Sequence, residues 1–260
     1  MSVDTLLQLA RVICQVQPII KRKHLTMNTI TLIKESLLQL FYPHLCAGCG
    51  SDTLPISSQL CIKCIYALPL SSFEKQVDNP VEKILAGRIE FEKATAQLYF
   101  TKHSALQHIM HAFKYKGNKD LGHQLGLIMG NQLLESRRFK DVNALIPLPL
   151  HESKQRKRGY NQAEVLCNGM AEILKIPVVT SAVIRPDATE TQTKKNRTDR
   201  WKNMEGKFAL TSENLIENKH VLLVDDVITT GATLEACGQE LLQARGVKLS
   251  IATLCYASKI

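Results

Sequence analysis

A chain of 260 residues is long enough for one substantial core and a small satellite, since domains usually run to roughly 100–200 residues. Hydrophobic residues at 45% and charged residues at 22% are ordinary for a globular protein, and no stretch approaches the ~18 apolar residues of a membrane span. The formal charge of +9 and a pI near 9.1 point to anionic partners, phosphates or nucleic acid, without choosing between them.

In the first residues, Asp4 stands where a secretory signal would be basic, and Gln8, Arg11, Gln15 and Gln17 interrupt the apolar run. No signal peptide is expected, and the cytoplasm is the expected compartment. Residues 1–30 are read as an extension of uncertain order. From Thr31, the apolar set Leu32, Ile33, Leu37, Leu38, Leu40 and Phe41 has helical periodicity and stops before Pro43. Two cysteine pairs follow, Cys46-x2-Cys49 and Cys61-x2-Cys64, with Gly48, Gly50 and Pro55 supplying turns. Four thiolates at this spacing suit tetrahedral zinc. With no position left open for water, the ion would be structural. A redox pair or unrelated buried thiols are the other readings. Cys14, Cys167, Cys237 and Cys255 lie scattered among apolar neighbours, which fits buried thiols in a reducing compartment rather than a disulfide framework. Residues 31–75 are therefore expected to form a small zinc-binding unit and residues 76–260 the main domain.

Leu106, Ile109, Met110 and Phe113 recur at helical spacing, as do Leu121, Leu125, Ile128 and Met129 after a break at Lys116-Gly117-Asn118. From residue 144 the pattern changes to short apolar runs alternating with helices. Strands are expected over 144–150, 178–184, 221–227 and 247–256, with helices over 161–174 and 233–244. Apolar strands separated by helices indicate an α/β fold with a parallel sheet.

The run His220-Val221-Leu222-Leu223-Val224 reads as a buried strand ending in Asp225 and Asp226, followed by Val227-Ile228-Thr229-Thr230-Gly231-Ala232-Thr233. At the carboxyl end of a parallel strand, a turn of small residues lets backbone N–H groups reach a phosphate, and the next helix N-terminus favours its charge. Asp225 and Asp226 would repel that phosphate. They suit ribose hydroxyls, with Mg²⁺ sharing the site. A strand whose acids merely cap a helix is the plainer reading, but it does not account for acids and turn in one register.

Lys154, Arg156, Lys157 and Arg158 lie in an expected loop after the strand over 144–150 and would gather at the same sheet edge, where a pyrophosphate could occupy them; a solvated basic turn is the plainer reading. The polar stretch 185–208 carries Thr189, Gln192, Lys194, Lys195, Arg197, Arg200 and Trp201. A stretch of this length inside a compact domain is usually a lid or a linker.

The string over 221–233 resembles the signature of type I phosphoribosyltransferases. The resemblance implies that Asp225 and Asp226 hold the ribose of 5-phosphoribosyl 1-pyrophosphate (PRPP) and that Thr229, Thr230, Gly231, Ala232 and Thr233 hold its 5-phosphate. It further implies Lys154, Arg156 and Arg158 on the pyrophosphate, and a lid over 192–203 containing Gln192 and Arg197. FYPHLCAGCG, CIKC, FKYKGNKDLG, PLPLHESKQRKRGYNQAE, Thr191-Gln192-Thr193 and the PRPP loop together make the chain similar to the ComF family of competence-associated, phosphoribosyltransferase-like proteins. Family members more often have Arg where Lys154 stands and Phe where Tyr160 stands. The implied role is natural transformation, with imported single-stranded DNA handled in the cytoplasm alongside helicase or recombination proteins. Lys114 and Lys116, flanking Tyr115, are candidates for a nucleic-acid track, because backbone charge and aromatic stacking hold single strands. Equally, Lys114 reaches toward pyrophosphate, or both lysines only solvate a helix end. A metabolic phosphoribosyltransferase acting on a base or amine is the alternative function, although no base-recognition hood is identifiable.

Overall fold

The computed structural model describes residues 44–52, 54, 58–101, 104–186 and 208–257. The expected extension over 1–30, the helix over 31–41 and the lid over 192–203, with Gln192 and Arg197, lie outside them. Strands β1 (Lys93–Tyr99), β2 (Ala144–Pro147), β5 (His220–Ile228) and β6 (Lys248–Tyr256) form an all-parallel sheet in the order β1-β6-β5-β2. Strands β3 (Val183–Ile184) and β4 (Ala209–Leu210) make a separate antiparallel pair. The helices are α1 (Ile62–Tyr66), α2 (Pro80–Leu85), α3 (Ala105–Tyr115), α4 (Lys119–Ser136), α5 (Glu152–Arg158), α6 (Gln162–Leu174) and α7 (Ala232–Leu241).

Strand alternation sorts the sheet's side chains into two cores. Leu145, Leu222, Val224, Ala252 and Leu254 face a layer built from α3, α4, α6 and the cysteine segment, with Cys46, Leu60, Cys61, Cys64, Ile109, Phe113, Leu121 and Leu166 in one continuous cluster. Ala144, Ile146, Val221, Leu223, Leu249 and Ile251 face α2 and α7 through Val81, Leu85, Leu234, Cys237 and Leu241. The sheet is thus covered on both faces, as parallel sheets must be.

Topology fixes where a ligand can enter. After β2 the chain turns outward, where Val178 makes a parallel bridge to Leu145, whereas after β5 it crosses the other way to β6. The connections diverge between β2 and β5. In open α/β sheets such a switch point leaves a crevice outside the carboxyl ends of the strands.

Glycines set how closely two of the covering helices approach. A Cβ on Gly126 of α4 would lie 2.3 Å from the Leu166 carbonyl oxygen of α6, and one on Gly169 of α6 would lie 2.3 Å from the His123 carbonyl oxygen. The two backbones therefore touch, which side chains at these positions would prevent.

Three sequence expectations change. The strand over 178–184 contracts to the bridge at Val178 and the short β3, since Thr180 and Ser181 break the apolar run. Residues 152–158, expected as a basic loop, form α5, capped by the His151 side chain accepting from the Ser153 N–H and closed by Gly159 at φ 79°. The helix has no apolar stripe, so hydrophobic periodicity is blind to it. Finally, β1 was not expected: its Lys93, Thr95 and Gln97 interrupt the apolar run, yet Thr95 and Gln97 are fully buried.

Candidate functional site

The nine-residue β5 carries its two acids at the carboxyl end. Alternation turns Asp226 toward the α3/α6 layer and Asp225 toward α7. Burial, with the Asp226 carboxylate next, pushes Asp225 up to about 8, while the Asp226 N–H donated to Asp225 Oδ1 (2.7 Å) pulls the other way. The pair therefore holds less negative charge than two free carboxylates. Burial, and then the charge of Asp225, likewise push the Cys237 thiol up.

Beyond β5, Thr229, Thr230 and Thr233 are exposed, and Gly231 is the residue before α7, with φ 74°. A side chain there would be strained, and its Cβ would meet Leu85 Cδ2 at 2.9 Å. No side chain caps α7, nor α1 or α3, whereas Asn79, Asn118, His151 and Asn161 cap α2, α4, α5 and α6; of the three uncapped starts, only that of α7 follows the acids of β5. The first-turn N–H groups of α7 thus keep their donors for an anion, worth about 0.3–1 kcal/mol for each charge placed there. Arg88, which sequence reasoning missed, fixes this turn by donating to the Thr230 carbonyl oxygen and pairing with Glu235 of α7. Nothing local marks Arg88, because its partners in and after the turn, Thr230 and Glu235, lie far along the chain.

Cations converge on Asp226. Lys114 Nζ from the last turn of α3 lies 2.9 Å from Asp226 Oδ2, and Arg158 Nη1 from the last turn of α5 lies 3.9 Å from the same oxygen. Arg158 also donates to Gln162 Oε1 (2.8 Å) and lies over the Tyr115 ring at 5.7 Å. The Tyr160 hydroxyl donates to the Phe113 carbonyl oxygen, tying the segment after α5 to the last turn of α3. Of the residues expected at pyrophosphate, the structure brings only Arg158 to the acids. Arg156 pairs with Glu152 at 2.7 Å on the exposed side of α5, and Lys154 is exposed one helical turn before Arg158 on the same face. Lys116 is exposed at the end of α3.

The four cysteines Cys46, Cys49, Cys61 and Cys64 form a second cluster, with all four sulfurs within 4.8 Å of one another. The Cys49–Cys61 separation of 3.7 Å matches the edge of about 3.8 Å expected for a tetrahedron with ~2.3 Å metal–sulfur bonds. Burial raises the Cys46 thiol, but backbone N–H groups of Cys61, Cys49 and Gly48 outweigh it and bring it down to about 6; the Cys61 N–H lies 3.2 Å from the sulfur. Burial pushes Cys64 up, as do its three sulfur neighbours. Four thiols this close, one already favoured as the thiolate, fit one soft metal ion. Gln59 and Ser58, between the pairs, anchor the cluster to the corner between α3 and α4. Asn118 Nδ2 donates to Gln59 Oε1 (2.8 Å), the Gln59 N–H to Gln124 Oε1 (2.9 Å), and Gln124 Nε2 to Ser58 Oγ (3.1 Å).

Residues 161–259 match the phosphoribosyl transferase domain family. Competence protein F of Haemophilus influenzae is 31% identical over 207 residues, which cover 78% of this chain and 80% of that protein. DNA utilization protein YhgH of Escherichia coli K12 is 28% identical over 153 residues, covering 58% of this chain and 66% of the relative. Competence protein ComFC of Bacillus subtilis is 30% identical over 145 residues, covering 55% and 56%. Among solved structures, the glutamine PRPP amidotransferase of B. subtilis superposes on 54% of this chain and 30% of its own at 17% identity and a TM-score of 0.38.

Proposed function

Because this chain belongs to the ComF family, we propose that it binds PRPP at the carboxyl end of β5 and acts in natural transformation, handling imported single-stranded DNA in the cytoplasm. One observation carries the ligand: paired acids, an uncapped helix start and the cation Arg158 meet at the switch point of a parallel sheet. Asp225 and Asp226 take the ribose hydroxyls, and Thr229, Thr230, Gly231, Ala232 and Thr233 the 5-phosphate. Arg158, with Lys154 on its face of α5, meets the pyrophosphate; Arg156, held by Glu152, would have to leave that pair to join them. Mg²⁺ on Asp225 and Asp226 would screen the charge of the ligand as it enters. Gln192 and Arg197 belong to the proposed lid.

Cys46, Cys49, Cys61 and Cys64 hold a structural Zn²⁺ in this reading, since the chain between the pairs has little core of its own. Single-stranded DNA, passing the exposed Tyr115 and Lys116, is the proposed macromolecular partner, with helicase or recombination proteins beside it. Among the described residues no helix is long and apolar enough to cross a membrane.

Isothermal titration tests the ligand: PRPP with Mg²⁺ binds the wild type and not Asp225→Ala/Asp226→Ala, and equal affinity for both overturns the assignment. Pyrophosphate release with candidate acceptors, DNA included, distinguishes a transferase from a PRPP-responsive binding protein. Binding to single-stranded DNA that falls steeply with salt supports the DNA role. A metabolic enzyme would show acceptor-dependent release and no such binding.

A further inference from the structure

We infer that Lys114, supplied by a helix outside the matched phosphoribosyl transferase segment, is a ligand-binding cation of the PRPP site that holds Asp226 when the site is empty and contacts the pyrophosphate when it is filled. The inference rests on the PRPP reading and extends it to a residue that neither the type I signature nor the matched segment over 161–259 contains.

Three features of the site lead there. First, Lys114 and Arg158 both approach Asp226 Oδ2, at 2.9 Å and 3.9 Å, so two like charges share one carboxylate. Two adjacent cations repel each other and a single carboxylate offsets only part of that, whereas a diphosphate carries enough negative charge to match both. Second, the lysine is aimed. Its neighbour Phe113 is fully buried and accepts a hydrogen bond from Tyr160, and the next residue, Tyr115, lies under the Arg158 guanidinium. The last turn of α3 is therefore fastened to the segment that carries Arg158, and the two cations keep a fixed relation to each other. Third, the Lys114 side chain is only 20% exposed. A lysine that merely solvated a helix end would extend into water, as its flexible, strongly hydrated head prefers.

The same carboxylate is the one proposed for the ribose hydroxyls. When ribose takes Asp226, the ammonium loses its partner next to the incoming pyrophosphate, and its charge passes from protein to ligand. PRPP should therefore depend on Lys114 much more than ribose 5-phosphate does, because the latter lacks the diphosphate.

Titration calorimetry of both ligands, with Mg²⁺, against wild type, Lys114→Met, Lys114→Arg and the exposed control Lys140→Met tests this, after thermal unfolding has shown each variant folded. The expected result is a loss of roughly tenfold or more in PRPP affinity for Lys114→Met, with ribose 5-phosphate changed by less than about threefold. Lys114→Arg should recover most of the loss, and Lys140→Met should match wild type. Unchanged PRPP affinity in Lys114→Met overturns the inference. So does an equal loss for both ligands, which would make Lys114 only a support for Asp226. A wild type that fails to bind PRPP at all defeats the underlying reading instead, so the two failures are distinguishable.

Discussion

Replacing Asp225 with Asn should stabilise the ligand-free protein while abolishing its ligand. Burial, and then Asp226, lift the Asp225 carboxyl from 3.8 to about 8. A raised folded-state pKa means that the native protein keeps a proton the unfolded chain would release. The resulting stabilisation is complete below about pH 4 and is lost as pH rises toward 8. A tenfold change in proton affinity is about 1.4 kcal/mol, and solvent partly reaches Asp225, so by pH 7 the ionisable group costs the fold on the order of 1–4 kcal/mol relative to acid conditions. Asn removes that dependence and still presents an Oδ1 to the Asp226 N–H, which Asp225 now accepts at 2.7 Å. Differential scanning calorimetry from pH 5 to pH 8 should show Asp225→Asn unfolding above wild type by a margin that widens with pH. Each kcal/mol corresponds to about 2–4 °C for a protein of this size. Added PRPP should raise the midpoint of wild type only. A margin that is absent at pH 8, or that shrinks as pH rises, would refute the electrostatic reasoning.

If the proposed zinc is bound, metal analysis should find one per chain, and chelating it, or substituting Cys46→Ser, should lower the unfolding midpoint of the whole chain in one transition, because Cys46, Cys61 and Cys64 share a core cluster with α3 and α4. A separate low-temperature transition would show the cysteine segment to be energetically independent. Gly126→Ala should cost about 1–3 kcal/mol in denaturant unfolding, since its methyl would meet the Leu166 carbonyl oxygen. Arg88→Ala should weaken PRPP severalfold in titration calorimetry by freeing the Thr230 carbonyl oxygen, and unaltered affinity would mean that the turn holds its shape unaided. Tyr160→Phe should cost about 1 kcal/mol through its lost bond to the Phe113 carbonyl oxygen, read as a lower denaturant midpoint at constant slope.

What was legible in the sequence was local. Strand β5, its acids and the Thr-Thr-Gly-Ala-Thr turn are contiguous, so period, charge and turn chemistry could be read together. The cysteine pairs were legible for the same reason. Contacts between distant segments were not. Lys114 meets Asp226, and Arg88 meets Thr230, across more than a hundred residues, and no spacing rule joins such pairs. Elements without an apolar pattern escaped as well: α5 is polar all round, and β1 buries Thr95 and Gln97 where an alternation count expects apolar side chains.

The glycine contact between α4 and α6 acts as a gauge. The corner carrying Lys114 leads into α4, and the segment carrying Arg158 leads into α6, with Lys119 lying 5.7 Å from the Tyr160 ring where the two helices begin. The spacing of the two site cations is therefore referred to a backbone-on-backbone contact, which no change of rotamer can relieve. Such a gauge tolerates wide change on the outer faces of both helices and almost none at Gly126 or Gly169. A single methyl there would act at a distance, as a misfit between the charges at the mouth of the sheet.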